Sequence, residues 1–175
     1  MLIYIAYNIM ALTRGGYMIR LADEADADAI SKLNEELFIV LNELKGDIYN
    51  PVAFPKYFID SMIKSHESDY ILIEDNNKVV GYALIEQRES PYTEYSAFVE
   101  DHFAYIYELV VLPEYRDKGY GKQIVKEAEK WAKDRGLSSI ELNCLSNNYD
   151  AKAFYEKTGF GEYQVKLRKN IECPE

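Results

Sequence analysis

The sequence predicts a mixed α/β domain, and three stretches predict it. Residues 70–74 and 79–87 are β-branched and aromatic-rich runs joined by Asn76-Asn77, the pattern of an antiparallel hairpin. Ile30, Leu33, Leu37, Val40, Leu41 and Leu44 recur at close to 3.6 residues, the pattern of an amphipathic helix. Residues 105–112 are apolar except for Glu108, then run through a glycine-bearing turn into a helix-periodic segment. Strands and helices interleaved in this way bury their apolar faces by packing helices on a sheet.

A chain of 175 residues suits one domain with its own core, and a hydrophobic content of 48% excludes general disorder. The formal net charge of −10 argues against broad contact with nucleic acid or an anionic membrane, so neither is expected as a partner. Cys144 and Cys173 lack metal-ligand spacing and read as free thiols of a reducing compartment. A cytoplasmic location and no metal are expected. Residues 1–12 are apolar but short, are interrupted by Asn8 and lack a basic flank, so they fit neither a signal peptide nor a bilayer span. Residues 1–16 are taken as an extension of unassigned role, and residues 17–170 as the domain.

In order, residues 17–22 read as a strand, and Asp23, Glu24 and Asp26 provide a cap and favourable first-turn charge for the first helix. Lys45-Gly46-Asp47 closes it, and residues 51–63 form a second helix with Phe54, Phe58, Met62 and Ile63 on one side. The hairpin follows. A polar, aromatic connection over residues 88–102 leads into the apolar strand 105–112, which suits a central strand covered on both faces. A helix over 121–135 gathers Ile124, Val125, Ala128, Trp131 and Ala132 on one face before Gly136. Residues 139–145 are a strand, 148–157 a short helix, and 162–167 a last strand.

The turn after strand 105–112 is the sharpest chemical signal. Pro113 ends the ladder, Gly119 tolerates positive φ, and Gly121 allows close approach to the backbone. Such a turn aims unpartnered amides at one point before a helix N-terminus, a natural seat for phosphate, with Arg116 and Lys118 alongside. It is not a nucleotide P-loop, since Gly121-Lys122 is followed by Gln123 and no glycine stands five residues earlier. It lacks the third glycine of a dinucleotide fingerprint.

Three segments together resemble the GCN5-related N-acetyltransferase (GNAT) family. Arg116-Asp117-Lys118-Gly119-Tyr120-Gly121 matches its [Q/R]-x-x-G-x-[G/A] loop. Asn148 through Phe160 looks like its N-x-x-A-x-x-x-Y-E-K-x-G-F block, and residues 18–30 are similar to its first strand and acid-rich helix start. The likeness covers about residues 17–167. It implies a mixed, mostly antiparallel sheet of six to seven strands with about four helices, splayed between strands 4 and 5.

The resemblance implies acetyl-CoA as acetyl donor, lying in that splay. The cofactor arm would pair with backbone of Leu109, Val110 and Val111, and the pyrophosphate would sit on amides of Arg116, Asp117, Lys118, Gly119, Tyr120 and Gly121. Tyr155 corresponds to a tyrosine used as general acid toward the departing thiolate; the alternative is a packed phenol with one hydrogen bond. Asn148 matches an asparagine that touches the cofactor arm, and an N-cap is the alternative. Glu108 is either the base that takes the amine's proton or a structural hydrogen-bond acceptor. Asn143 reads as structural, and His66 and His102 show no ligand spacing.

Acceptor choice would fall to residues 37–58 and 88–103, which hold Tyr49, Tyr57, Tyr92, Glu94, Tyr95, Glu100 and Asp101; an acidic, aromatic cleft suits a cationic amine. The implied function is transfer of acetyl to a primary amine, of a small molecule or a protein, by direct attack in a ternary complex. A homodimer is compatible with it. The competing class is a non-catalytic acyl-CoA-binding module on the same fold.

Overall fold

The computed structural model describes residues 16–90, 97, 99–169 and 171. Residues 1–15, and with them nearly all of the amino-terminal extension, lie outside the described residues, as do Tyr92, Glu94, Tyr95 and Cys173. Two compact units divide between Asn143 and Cys144.

The larger unit is built on one five-stranded sheet of order β1-β2-β3-β4-β5. Its strands are β1 (Tyr17–Leu21), β2 (Ser68–Asp75), β3 (Lys78–Glu89), β4 (His102–Val111) and β5 (Ile140–Leu142). The first four are antiparallel neighbours, and β5 joins β4 in parallel. The β2–β3 hairpin turns on Asn76 and Asn77, with φ of 51° and 62°, as a two-residue loop between right-twisted strands requires. Among the described residues the sheet has five strands where six to seven were implied; residues 162–167, in the smaller unit, form no ladder. Tyr163, Val165 and Leu167 alternate as a strand should but are 77%, 75% and 89% exposed. Alternation marks a face awaiting burial, and extended backbone without a partner is not a strand.

Helix α1 (Ala27–Lys45) buries Ala27, Ile30, Leu33 and Asn34, and α2 (Lys56–Ile63) buries Ile59. Both pack on one side of the sheet with Tyr70, Leu72, Tyr82, Leu84 and Val110. The second helix begins at Lys56 rather than near residue 51: Pro55 before it has ψ of 142°, which is not helical. Helix α3 (Tyr120–Asp134) packs on β2, β3 and β4 and buries the predicted stripe Ile124, Val125, Ala128, Trp131 and Ala132. Arg20 ties β1 to the turn after it and to β2. Its guanidinium donates to both oxygens of Asp26 at 2.6 and 2.7 Å and to Glu74 at 2.8 Å. Asp26 thereby lies below its ordinary value.

Two expectations for the strands need correction. The strand covered on both faces is not β4 but the β2–β3 pair, where Ile71, Leu72, Ile73, Ala83, Leu84 and Ile85 are all buried. In β4 the buried residues Ala104, Ile106, Glu108 and Val110 alternate with half-buried or exposed ones. The β5 ladder is shorter than residues 139–145, so Cys144 is not a strand residue; it is exposed and free. Among the described residues no helix is long and apolar enough to cross a membrane.

The smaller unit holds α4 (Tyr149–Lys157), capped at one end by the Asn148 side chain and followed by Gly159 with φ of 97°.

Candidate active site

The sheet opens on one side of β4. Strand β5 pairs only with Ala104, Tyr105 and Ile106, whereas β4 continues to Val111. At the point where pairing stops, the β3–β4 register shifts by one residue, so that Leu84 faces Glu108 and Ile85 faces Ile106, with Tyr107 left over as a bulge. Beyond it, the Leu112 amide donates to the Val80 carbonyl at 2.9 Å. In an antiparallel ladder such groups alternate in direction. Leu109 and Val111 therefore turn their amides and carbonyls to the open side, and Val110 turns its own to β3. The Val111 carbonyl already accepts from Arg116 Nε at 3.1 Å.

A 3₁₀ turn, Pro113–Tyr115, leads to the glycine-bearing loop expected to seat an anion. Asp117 and Gly119 are both left-handed, with φ of 61° and 83°, and Gly119 is the N-cap of α3 with no side-chain cap. The first four amides of the helix, from Gly119, Tyr120, Gly121 and Lys122, have no partner within it. They converge with the dipole's positive end. The Tyr120 side chain is buried and donates to Asp75 at 2.8 Å, which anchors the helix start to β2. Lys118 Nζ lies 4.4 Å from the Tyr115 ring centre.

Glu108 sits under α1. The bulge decides this: without the extra residue Glu108 would share the face of Ile106. With it, Glu108 meets Tyr82, whose hydroxyl donates at 2.6 Å, and Asn34, whose amide donates at 3.0 Å. Asn34 Oδ1 accepts the Phe54 amide at 2.6 Å, so one side chain links the sheet to the α1–α2 connection. Burial pushes Glu108 up, against the pull of the Tyr82 and Asn34 hydrogen bonds, and burial pushes the Tyr82 phenol well up. The Tyr70 hydroxyl is buried with no partner among the described residues.

In the smaller unit, Asn148 Oδ1 accepts from the Ala151 amide at 3.2 Å, which is the capping role. Tyr155 packs between Phe154 and Phe160, and burial pushes its phenol up to about 12.

On the α1 face of β3 and β4, Tyr105 and Tyr107 meet at 4.9 Å between ring centres, with Asn143 hydrogen-bonded to Tyr105. Tyr49 packs on Phe38 at 6.0 Å. Tyr57 is exposed, as is His102, whose Nε2 lies 3.3 Å from Glu100. Asn34, Tyr82 and the Tyr105–Tyr107 pair were not singled out in the sequence. The available signal for Asn34 was an amide inside the apolar stripe of α1. A cavity of about 770 Å³ lies between α1 and the ends of β3 and β4, lined in part by Asp28, Lys32, Glu36, Lys78 and Leu112. None of the expected site residues lines it. No group of His, Cys, Asp or Glu suited to a metal occurs among the described residues.

This chain is similar to known proteins along most of its length. It is 25% identical to the uncharacterized N-acetyltransferase YhfO of Bacillus subtilis over 82% of this chain and 89% of that protein. It is 27% identical to thialysine N-epsilon-acetyltransferase of Bos taurus over 81% and 82%. Among solved structures, the tetramutant of the BH1408 protein from Bacillus halodurans superposes with a TM-score of 0.82 at 21% identity, covering 88% of this chain and 99% of that one. The aminoglycoside N-acetyltransferase AAC(6')-Iy in complex with CoA superposes with a TM-score of 0.71 at 14% identity, covering 93% and 99%. The model of the acetyltransferase (GNAT) family matches residues 29–160, so the chain belongs to that family and is an N-acetyltransferase.

Proposed function

We propose that the protein moves the acetyl group of acetyl-CoA to a primary amine by direct attack in a ternary complex. The observation that carries this reading is the open side of β4, where the Leu109 amide and carbonyl and the Val111 amide have no partner strand, just before a helix start with no side-chain cap. Unpaired backbone of this kind is costly unless an extended partner takes it, and an amide-bearing arm ending in a diphosphate satisfies both features at once. A protein of the same fold crystallised with CoA supports the choice of donor.

In the proposed step the amine nitrogen attacks the thioester carbon, the C–S bond breaks, and sulfur leaves with the electron pair. Tyr155 gives that sulfur its proton, and Glu108 takes the proton the amine loses. Support for Tyr155 is a phenol that stays protonated through the neutral range. Support for Glu108 is a buried carboxylate whose two hydrogen-bond partners, Tyr82 and Asn34, are neutral and whose affinity for protons is raised. Asn148 is proposed to contact the cofactor arm through the face of its amide not used in capping. Donors and acceptors held in place do most of the remaining work.

The test is thiol release from acetyl-CoA with a panel of amines, alongside calorimetry with CoA. Amine-dependent release is expected. CoA binding with no release on any amine would overturn the transfer reading.

A further inference from the structure

The α1 face of β3 and β4 carries one more arrangement. Arg88 lies over two tyrosines, its guanidinium carbon 5.3 Å from the Tyr105 ring centre and 5.5 Å from that of Tyr107. Its Nε is 3.6 Å from Glu86, beyond a hydrogen bond, and the Glu86 oxygen concerned already accepts the Tyr107 hydroxyl at 2.6 Å. The guanidinium thus rests against the two rings, and no hydrogen bond from its terminal nitrogens is found among the described residues. A guanidinium held against aromatic rings loses little freedom when it binds, and its planar fork matches a carboxylate with two parallel N–H bonds.

The place is as informative as the chemistry. Tyr107 is the bulge residue at which β5 parts from β4. It stands two residues from Leu109, about 7 Å along a strand. A group held by Arg88 lies within the span of one small molecule from the backbone proposed to hold the thioester arm.

We propose that Arg88, held on Tyr105 and Tyr107, receives a carboxylate of the acceptor, so that the acceptor is a small molecule carrying both an amine and a carboxylate. This deepens the reading above and rests on it for the position of the amine. Glu86 sets the orientation of Tyr107 and keeps the guanidinium from swinging away. It also disfavours a second carboxylate beside the first, which limits the seat to one anionic group.

The experiment uses the full chain and matched acceptors: lysine, its amide and cadaverine, then ornithine, its amide and putrescine, each with acetyl-CoA. The carboxylated member of each set is expected to have a kcat/KM higher by about 10- to 100-fold, the range for hydrogen bonds to a charged group. In Arg88→Gln that ratio falls toward one, and Arg88→Lys does not restore it, because an ammonium neither stacks as a plane nor forks. No carboxylate preference in the parent chain, or a preference that survives in Arg88→Gln, overturns the proposal. So does a rise in diamine turnover in Arg88→Gln, which would make the rings a seat for the acceptor's cation that Arg88 merely fills. Calorimetry with lysine and cadaverine on the CoA-loaded chain covers the case of no turnover at all. Carboxylate-dependent binding that Arg88→Gln abolishes then supports this site while sinking the transfer reading, and its absence overturns the site as well.

Discussion

Glu108 is the residue at which chemistry and stability oppose each other. Its carboxylate is buried against Tyr82 and Asn34 with no cationic partner among its hydrogen bonds, and burial raises its pKa. A raised folded value means that the native state binds the proton more readily than the unfolded chain, so this group favours folding in acid. That contribution fades as pH rises from the ordinary value of 4.5 through the folded one. Glu108→Gln lacks the term. The stability advantage of the parent over Glu108→Gln is therefore expected to grow as pH falls from 8 to 5, measured by urea unfolding. If Glu108 takes the amine's proton, turnover in the same variant drops by about 10²-fold or more. Burial raises Tyr155 in the same direction, but in the alkaline range. Its proton is lost only as pH approaches about 12. Tyr155→Phe is expected to lower kcat by about 10²-fold with CoA affinity held, and by the same factor at pH 7 and pH 9. A near-normal rate in the variant at either pH removes Tyr155 from the mechanism.

At the scale of elements, the site depends on how two strands and one helix start are held. Gly81 on β3 faces Val111, and a Cβ there would stand 2.6 Å from the Val110 carbonyl oxygen and 3.1 Å from a Val111 methyl. The nearest atom is backbone, so β4 itself would have to move. Gly81→Ala is expected to cost about 1–3 kcal/mol of unfolding free energy, read from the denaturant midpoint, and to weaken CoA binding by shifting Leu109 and Val111. Gly121 occupies the first turn of α3, and under the proposed reading a side chain there would crowd the diphosphate against the amides. Gly121→Val is expected to raise the Kd for CoA by about tenfold or more with the melting temperature nearly kept, a change equal to about 1.4 kcal/mol. Unchanged affinity in the folded variant would place the ligand elsewhere. At the other edge, Arg20 holds β1, the turn after it and β2 through two carboxylates. Arg20→Ala leaves Asp26 and Glu74 facing each other and is expected to cost about 3 kcal/mol at pH 7. Asp26 is held below 3.8, so the benefit of the pair is present above that value and lost as pH falls through the folded one. The gap between parent and variant closes accordingly in acid unfolding.

At the scale of the molecule, the elements legible in the sequence are those that state their own burial. The stripe of α3, the Asn-Asn hairpin and the glycine turn each carry a local physical requirement, so each appears where its residues place it. The turn before α3 was legible in part: Gly119 was placed at positive φ by its residue type, whereas the left-handed Asp117 was not. Residues 162–167 and the length of β5 were not legible, because a strand exists only through a neighbour that the segment's own alternation cannot name.

What the sequence determined alone was the class of fold, the glycine turn before α3 and the family to which both belong, since spacing and residue type suffice for those. The tertiary structure decided which face each side chain of β4 takes. One unpaired residue at Tyr107 reverses the alternation and sends Glu108 beneath α1 to Asn34, and β5, three residues long, pairs with β4 only up to Ile106, which leaves the strand beyond it open. Such a bulge is a property of two strands in register, and neither strand's own pattern of apolar and polar residues contains it.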